Sequence, residues 1–157
     1  MTRINLVDPA VLTDQHLMAE YRELPMVMAA LRRSLNSKRG VHGIPEQFTL
    51  NSGHVKFFYD KGYFLEFRYE SLIEELCRRN YNIDPSSRNV SFDVFRENGL
   101  YNDFTPSSRD LGISVDRILL RIREKLTWYR YLGNEIDYNN YKQRIMRQVN
   151  VTTKNQN

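Results

Sequence analysis

Residues 13–36 read "TDQHLMAEYRELPMVMAALRRSLN". Within them Leu17, Tyr21, Leu24, Met28, Leu31 and Leu35 recur at spacings of 4, 3, 4, 3 and 4, the period of an apolar stripe on a helix. Thr13 or Asp14 can cap its start. Pro25 lies inside the run, so the spacing predicts one long helix kinked near that residue. Working outward, "NSKRGVHGIPEQ" is a loop broken by Gly40, Gly43 and Pro45. The aromatic stretch "HVKFFYD" is open between a strand and an irregular core segment. From about Tyr63 to Arg79 a second stripe, Leu65, Tyr69, Leu72 and Leu76, predicts a second helix. A turn-rich connection without a period follows. A third helix is predicted from Ser107 or Ser108 to about Lys125, with Leu111, Val115, Ile118 and Ile122 inward. The expected fold is mainly α, a compact single domain built around three principal helices. Residues 134–157 are expected to form a polar, partly disordered extension beyond it, with a short basic helix around Lys142, Arg144 and Arg147.

At 157 residues the chain can bury a sizeable core. It has no apolar run long enough to span a membrane, and its first twenty residues lack the apolar core of a secretory signal. The single cysteine, Cys77, excludes an intramolecular disulfide and fits a reducing cytoplasm. His16, His42, His54 and Cys77 show no metal-ligand spacing, so no metal is expected. The net charge of +4 is unevenly spread. Residues 1–45 hold six basic and four acidic side chains, 46–116 eight and twelve, and 117–147 eight and three. If the fold gathers the two ends, one face can meet phosphate; otherwise these are solvated helix faces.

Five stretches could carry chemistry. The chain opens "MTRIN", and a small second residue is the kind that leads to removal of the initiator methionine. An α-amine on Thr2 would titrate near pKa ~7.7–8.0, against ~10.4 for lysine, and would need no burial to act as a nucleophile. Glu23 shares a helix face with His16, two turns earlier, and is open between an acid/base group and a solvated surface carboxylate. Nothing local separates it from Glu20. Arg117, Arg121 and Lys125 line one stripe of the third helix and lead into "TWYRYLG", residues 127–133. Basic residues beside Trp128, Tyr129, Arg130 and Tyr131 suit phosphate contact and base stacking, but the same aromatics could cap the core. "SKRGVHG" matches no phosphate loop and reads as a helix terminus. His54, among Phe57, Phe58 and Tyr59, reads as a hydrogen-bonded core residue.

Taken together, "MTRINL", "DQHLMAEYRELP", "GHVKFFYDK" and "TWYRYLG" resemble, in order and approximate spacing, the phage endonuclease V family of pyrimidine-dimer DNA glycosylases. The resemblance covers roughly residues 1–133, and implies a glycosylase domain there with an extension at 134–157. It implies excision of cyclobutane pyrimidine dimers from UV-damaged double-stranded DNA followed by strand nicking, with no metal or organic cofactor. The family's nucleophile, an N-terminal threonine amine, falls on Thr2, and its essential carboxylate on Glu23. Phosphate-holding arginines fall on Arg3 and Arg22, and residues beside the active centre on Gln15 and His16. Arg117 and Arg121 match basic positions of the third helix, and Trp128, Tyr129, Arg130 and Tyr131 match the aromatic motif. A monomer is expected, in the host cytoplasm if the chain is phage-encoded.

The implied reaction joins excision and nicking through one imine on the terminal amine, with β-elimination completing the lyase step. Met26 departs from the family pattern, which commonly places another phosphate-binding arginine there. Two alternatives stand beside this reading. One is a damaged-DNA-binding module that kept the fold and lost catalysis. The other is a glycosylase for a different base lesion.

Overall fold

The computed structural model of the chain describes residues 3–154, with side chains to Val151. The fold is mainly helical. The first predicted helix is present as α1 (Asp14–Glu23) and α2 (Pro25–Leu35), joined through Leu24, which keeps helical dihedrals (φ −53°, ψ −43°). The kink falls where Pro25 interrupts the ladder: Val27 N–H bonds back only three residues, to the Leu24 carbonyl (3.0 Å). Thr13 caps α1, its Oγ1 accepting the His16 N–H (3.1 Å). "HVKFFYD" is a core segment and not a strand: its first residues make the short helix α3 (His54–Phe57), Phe58–Asp60 are turns, and Phe57, Phe58 and Tyr59 are buried.

The second predicted helix is α4 (Gly62–Arg78), and its stripe Leu65, Tyr69, Leu72 and Leu76 is buried. The turn-rich connection contains a 3₁₀ turn at Pro85–Arg88 and the short α5 (Asp93–Glu97), which buries Val94 and Phe95. The third is α6 (Ser108–Glu124). Ser107 and Asp110 close a reciprocal capping box at its start, and Leu111, Val115, Ile118 and Ile122 are buried. A two-stranded hairpin follows, β1 (Arg130–Tyr131) and β2 (Asn134–Glu135), and then α7 (Tyr138–Lys154). α7 is longer than the short helix expected around Lys142–Arg147, because it has an apolar anchor: Tyr141 and Ile145, four apart, are both buried.

By internal contacts the chain forms two compact units. One comprises the residues up to Ile4 with Glu20–Phe104, and contains α2, α3, α4, α5 and the last turn of α1. Its core is aromatic, with Phe48, Phe57 and Phe58 packed edge to face at centroid distances of 5.1–6.2 Å. The other comprises Asn5–Ala19 with the residues from Thr105 onward, and contains α6, α7 and the hairpin. No helix among the described residues is long and apolar enough to cross a membrane.

Candidate active site

In the first unit the extended amino-terminal segment meets the end of α1. The Arg3 backbone N–H donates to Glu23 Oε2 at 3.3 Å, and Glu23 is half-buried. That nitrogen belongs to the Thr2–Arg3 peptide bond. Thr2 itself lies outside the described residues. The Arg3 guanidinium donates from Nη1 to the Leu50 carbonyl, and the Ile4 N–H donates to His54 Nε2 (2.9 Å).

The end of α1 is held from three sides. Glu20, which the sequence could not tell from Glu23, is fully buried and takes two bonds from Arg68, from Nε at 2.7 Å and Nη2 at 3.0 Å. A buried bidentate pair of this kind leaves the carboxylate no role in solution, and removing either partner would strand a buried charge at a cost of about 3–5 kcal/mol. The second support comes from the kink. Pro25 has no N–H, so the Tyr21 carbonyl loses its helical donor. Arg88 supplies one: its Nη1 donates to Tyr21 O and its Nη2 to Arg22 O, both at 2.8 Å, with the guanidinium over the Tyr21 ring. The third is the Arg3 N–H on Glu23. Pro25 signals in sequence that a carbonyl is freed, but nothing there identifies Arg88, more than sixty residues on, as the donor. The side chains of Arg22 and Met26 are exposed.

In the second unit the aromatic motif forms the hairpin. Leu132 (φ 50°) and Gly133 (φ 77°) occupy its two central positions, the all-positive pattern of a type I′ turn. Segment 10–15 anchors it. Gln15 Nε2 donates to the Trp128 carbonyl and the Arg130 N–H donates to Gln15 Oε1, both at 2.8 Å. The Gly133 N–H donates to Asp14 Oδ2 (2.8 Å), and the Tyr131 hydroxyl to the Ala10 carbonyl (2.9 Å). Tyr131 also packs edge-on against Tyr141 and lies beneath Arg144. The motif therefore divides: Tyr131 points into the unit, whereas Trp128 is 64% exposed.

In the same unit His16 is buried, its ring stacked on Tyr129 (4.7 Å, 8°) and its Nδ1 2.6 Å from Thr13 Oγ1. Burial lowers its pKa to about 4, and the positive charges of Arg117 and Arg121 push the same way. The imidazole is therefore neutral at pH 7 and offers no cation to a phosphate. Burial also raises the Tyr129 phenol, although Arg121 and Arg117 oppose it. Arg117 is half-buried; Arg121 is exposed and pairs with Glu124 (2.9 Å); Lys125 is exposed at the end of α6. The geometry thus shows Gln15 and His16 engaged inside the unit, with Trp128, Arg121 and Lys125 facing outward.

A family model described as pyrimidine dimer DNA glycosylase matches residues 1–89, more than half of the chain. The chain belongs to that family. Pyrimidine dimer glycosylases act on UV-damaged DNA, and the matched segment carries Thr2, Arg3, Gln15, His16, Arg22 and Glu23. It also carries His54, Arg68 and Arg88, which sequence reasoning did not assign to the site. It ends before α6, so Arg117, Arg121, Lys125 and the hairpin lie beyond it. Among the described residues no group of three or more His, Cys, Asp or Glu side chains is arranged to hold a metal ion.

Proposed function

We propose that this glycosylase cleaves through the α-amine of Thr2, freed by removal of Met1, and that it is also an AP lyase. The observation that carries the reading is the bond from Arg3 N–H to Glu23 Oε2. Successive backbone nitrogens are never more than about 4 Å apart. A carboxylate oxygen 3.3 Å from the second nitrogen is then no more than about 7 Å from an amine at the first, a gap that a direct bond or a short water bridge can close.

The amine's lone pair attacks the sugar C1′ of the dimer's 5′ nucleotide while the C1′–base bond breaks and the base takes a proton. Opening of the sugar ring and loss of a proton from nitrogen leave an imine. The imine acidifies the C2′ proton; its removal forms a C2′–C3′ double bond as the C3′–O bond breaks and expels the 3′ phosphate. Glu23 stabilises the cationic sugar and carries protons in these steps. Arg22, Arg117, Arg121, Lys125 and Arg130 hold backbone phosphates, and Trp128 stacks on the distorted duplex. Arg3 contributes charge that favours the free amine. The enzyme acts as a monomer without a cofactor, and nicking follows excision on the same molecule.

Borohydride trapping on UV-irradiated duplex, followed by peptide mapping, tests the proposal. The expected adduct lies on Thr2, in protein whose intact mass lacks Met1. Robust excision without an adduct, or full activity with Met1 on every molecule, would overturn it. Binding without excision would identify the damage-binding alternative.

A further inference from the structure

His54 is 1% exposed and both of its ring nitrogens are occupied. Their partners fix the chemistry without ambiguity. A carbonyl only accepts, so the bond between Nδ1 and Thr49 O (2.8 Å) requires a proton on Nδ1. A backbone N–H only donates, so the bond from Ile4 N (2.9 Å) requires a bare Nε2. The ring is therefore the neutral Nδ1–H tautomer, and a protonated ring would set donor against donor at Ile4. Phe48 and Phe58 pack edge-on against it at 5.5 and 5.4 Å, so it cannot turn.

The loop beneath is equally fixed. Gly53 starts α3 where a Cβ would stand 2.9 Å from Pro45 Cγ and 3.2 Å from Thr49 Cγ2, so only glycine lets Pro45 and Thr49 close on it. That loop supplies the Thr49 carbonyl to His54 and the Leu50 carbonyl to Arg3. Residues 3 and 4 are thus gripped by one rigid element, while Arg3 N–H faces Glu23.

From this we infer that His54 is a positioning residue for the reaction: it registers the Arg3–Ile4 backbone against the Glu23 carboxylate, and so sets where the amine nucleophile stands. Buried and doubly bonded, it touches no substrate. The inference rests on the Thr2 reading above. It predicts a loss in the chemical step rather than in binding, because misplacing reacting groups by an ångström costs up to about 10²-fold.

The test uses the full chain with His54→Phe, which keeps the ring and its aromatic packing but removes the acceptor, and His54→Gln, whose amide oxygen can take the place of Nε2. Single-turnover excision at saturating enzyme should fall about 10- to 100-fold in His54→Phe. Its Kd for dimer-containing duplex should stay within about threefold of wild type, and His54→Gln should recover most of the rate. Nitrogen NMR of wild type should show Nδ1 protonated and Nε2 bare. A protonated Nε2, a folded His54→Phe that excises at the wild-type rate, or a folded His54→Gln as impaired as His54→Phe would each overturn the inference. If His54→Phe fails to fold, the nitrogen spectrum and the rate of folded His54→Gln decide, and a loss beyond tenfold in the latter refutes it. Wild type that excises without a borohydride adduct removes the Thr2 reading and this inference with it. Wild type that traps normally beside an equally active His54→Phe removes the inference alone.

Discussion

The last turn of α1 and the hairpin at 130–135 are built by the same device and leave different groups unspent. At both, a side chain from another part of the sequence bonds to main-chain groups of the element. Arg88 serves the carbonyls of Tyr21 and Arg22 at the Pro25 kink; Gln15 serves Trp128 and Arg130 before the hairpin turn. Around α1 the fold consumes Glu20 in a buried pair with Arg68 and, among the described residues, leaves Glu23 with one long 3.3 Å contact to Arg3. At the hairpin it consumes Gln15, His16 and Tyr131 and leaves the Trp128 indole exposed. A buried polar side chain fully engaged by its own protein does not reach a substrate. The candidates for function are the ones the architecture has left over.

The strongest way to break this contrast is Glu23→Gln. Glutamine has the same length and its amide oxygen can still accept from Arg3 N–H, so the amino-terminal segment stays in place while the charge goes. Excision and nicking should fall about 10²–10⁴-fold, the range of a positioned acid/base group. Binding to dimer-containing duplex should change little. Turnover within a few-fold of wild type would mean that the leftover carboxylate is only a surface residue.

How much of this was legible in sequence follows from what period and spacing can encode. The three apolar stripes gave the helices, and Pro25 gave the kink, because both signals are local. Glu20 and Glu23 were indistinguishable because their difference lies in Arg68 and Arg3, which no helical period locates. The helical turn α3 was not legible within the core segment "HVKFFYD": four residues are too few to show a period. Gln15 and His16 came from resemblance to a family, which assigns a residue to a neighbourhood without saying which way it faces. The roles of His54 and Arg88 lie in bonds to backbone groups fifty or more positions away, for which sequence has no sign.

A second, smaller effect sharpens the hairpin side of the comparison. His16 takes up a proton near pH 6.5 in the unfolded chain but only near 4 in the native one. Stability from this group is complete above pH 6.5, falls as pH drops through the window between 6.5 and 4, and levels off below it. At about 1.4 kcal/mol per pH unit the loss reaches about 3 kcal/mol. Denaturant unfolding of wild type and His16→Phe from pH 8 to pH 4 measures it as a difference, since all other titrating groups are common to both. Wild type should lose its margin over the variant as the solution is acidified. Parallel curves would show that His16 is solvated, not buried against Tyr129.

The smallest expected effect concerns Met26, exposed four residues after Arg22 and across the kink from it. If the exposed face at Arg22 meets the DNA backbone, Met26→Arg adds a guanidinium to the same face. One further phosphate contact should steepen the log–log salt dependence of binding by about 0.9. Phosphates carry no damage information, so affinity should rise alike for damaged and undamaged duplex. The first turn of α2 is a slightly unfavourable place for a cation, by about 0.3–1 kcal/mol, so the melting temperature should drop a little even as binding tightens. Single-turnover excision at saturating enzyme should not change, because neither Glu23 nor its contact with Arg3 is touched. An unaltered salt slope beside a lowered melting temperature would mean that position 26 faces solvent in the complex, and that the DNA-facing surface of α1 ends at the kink.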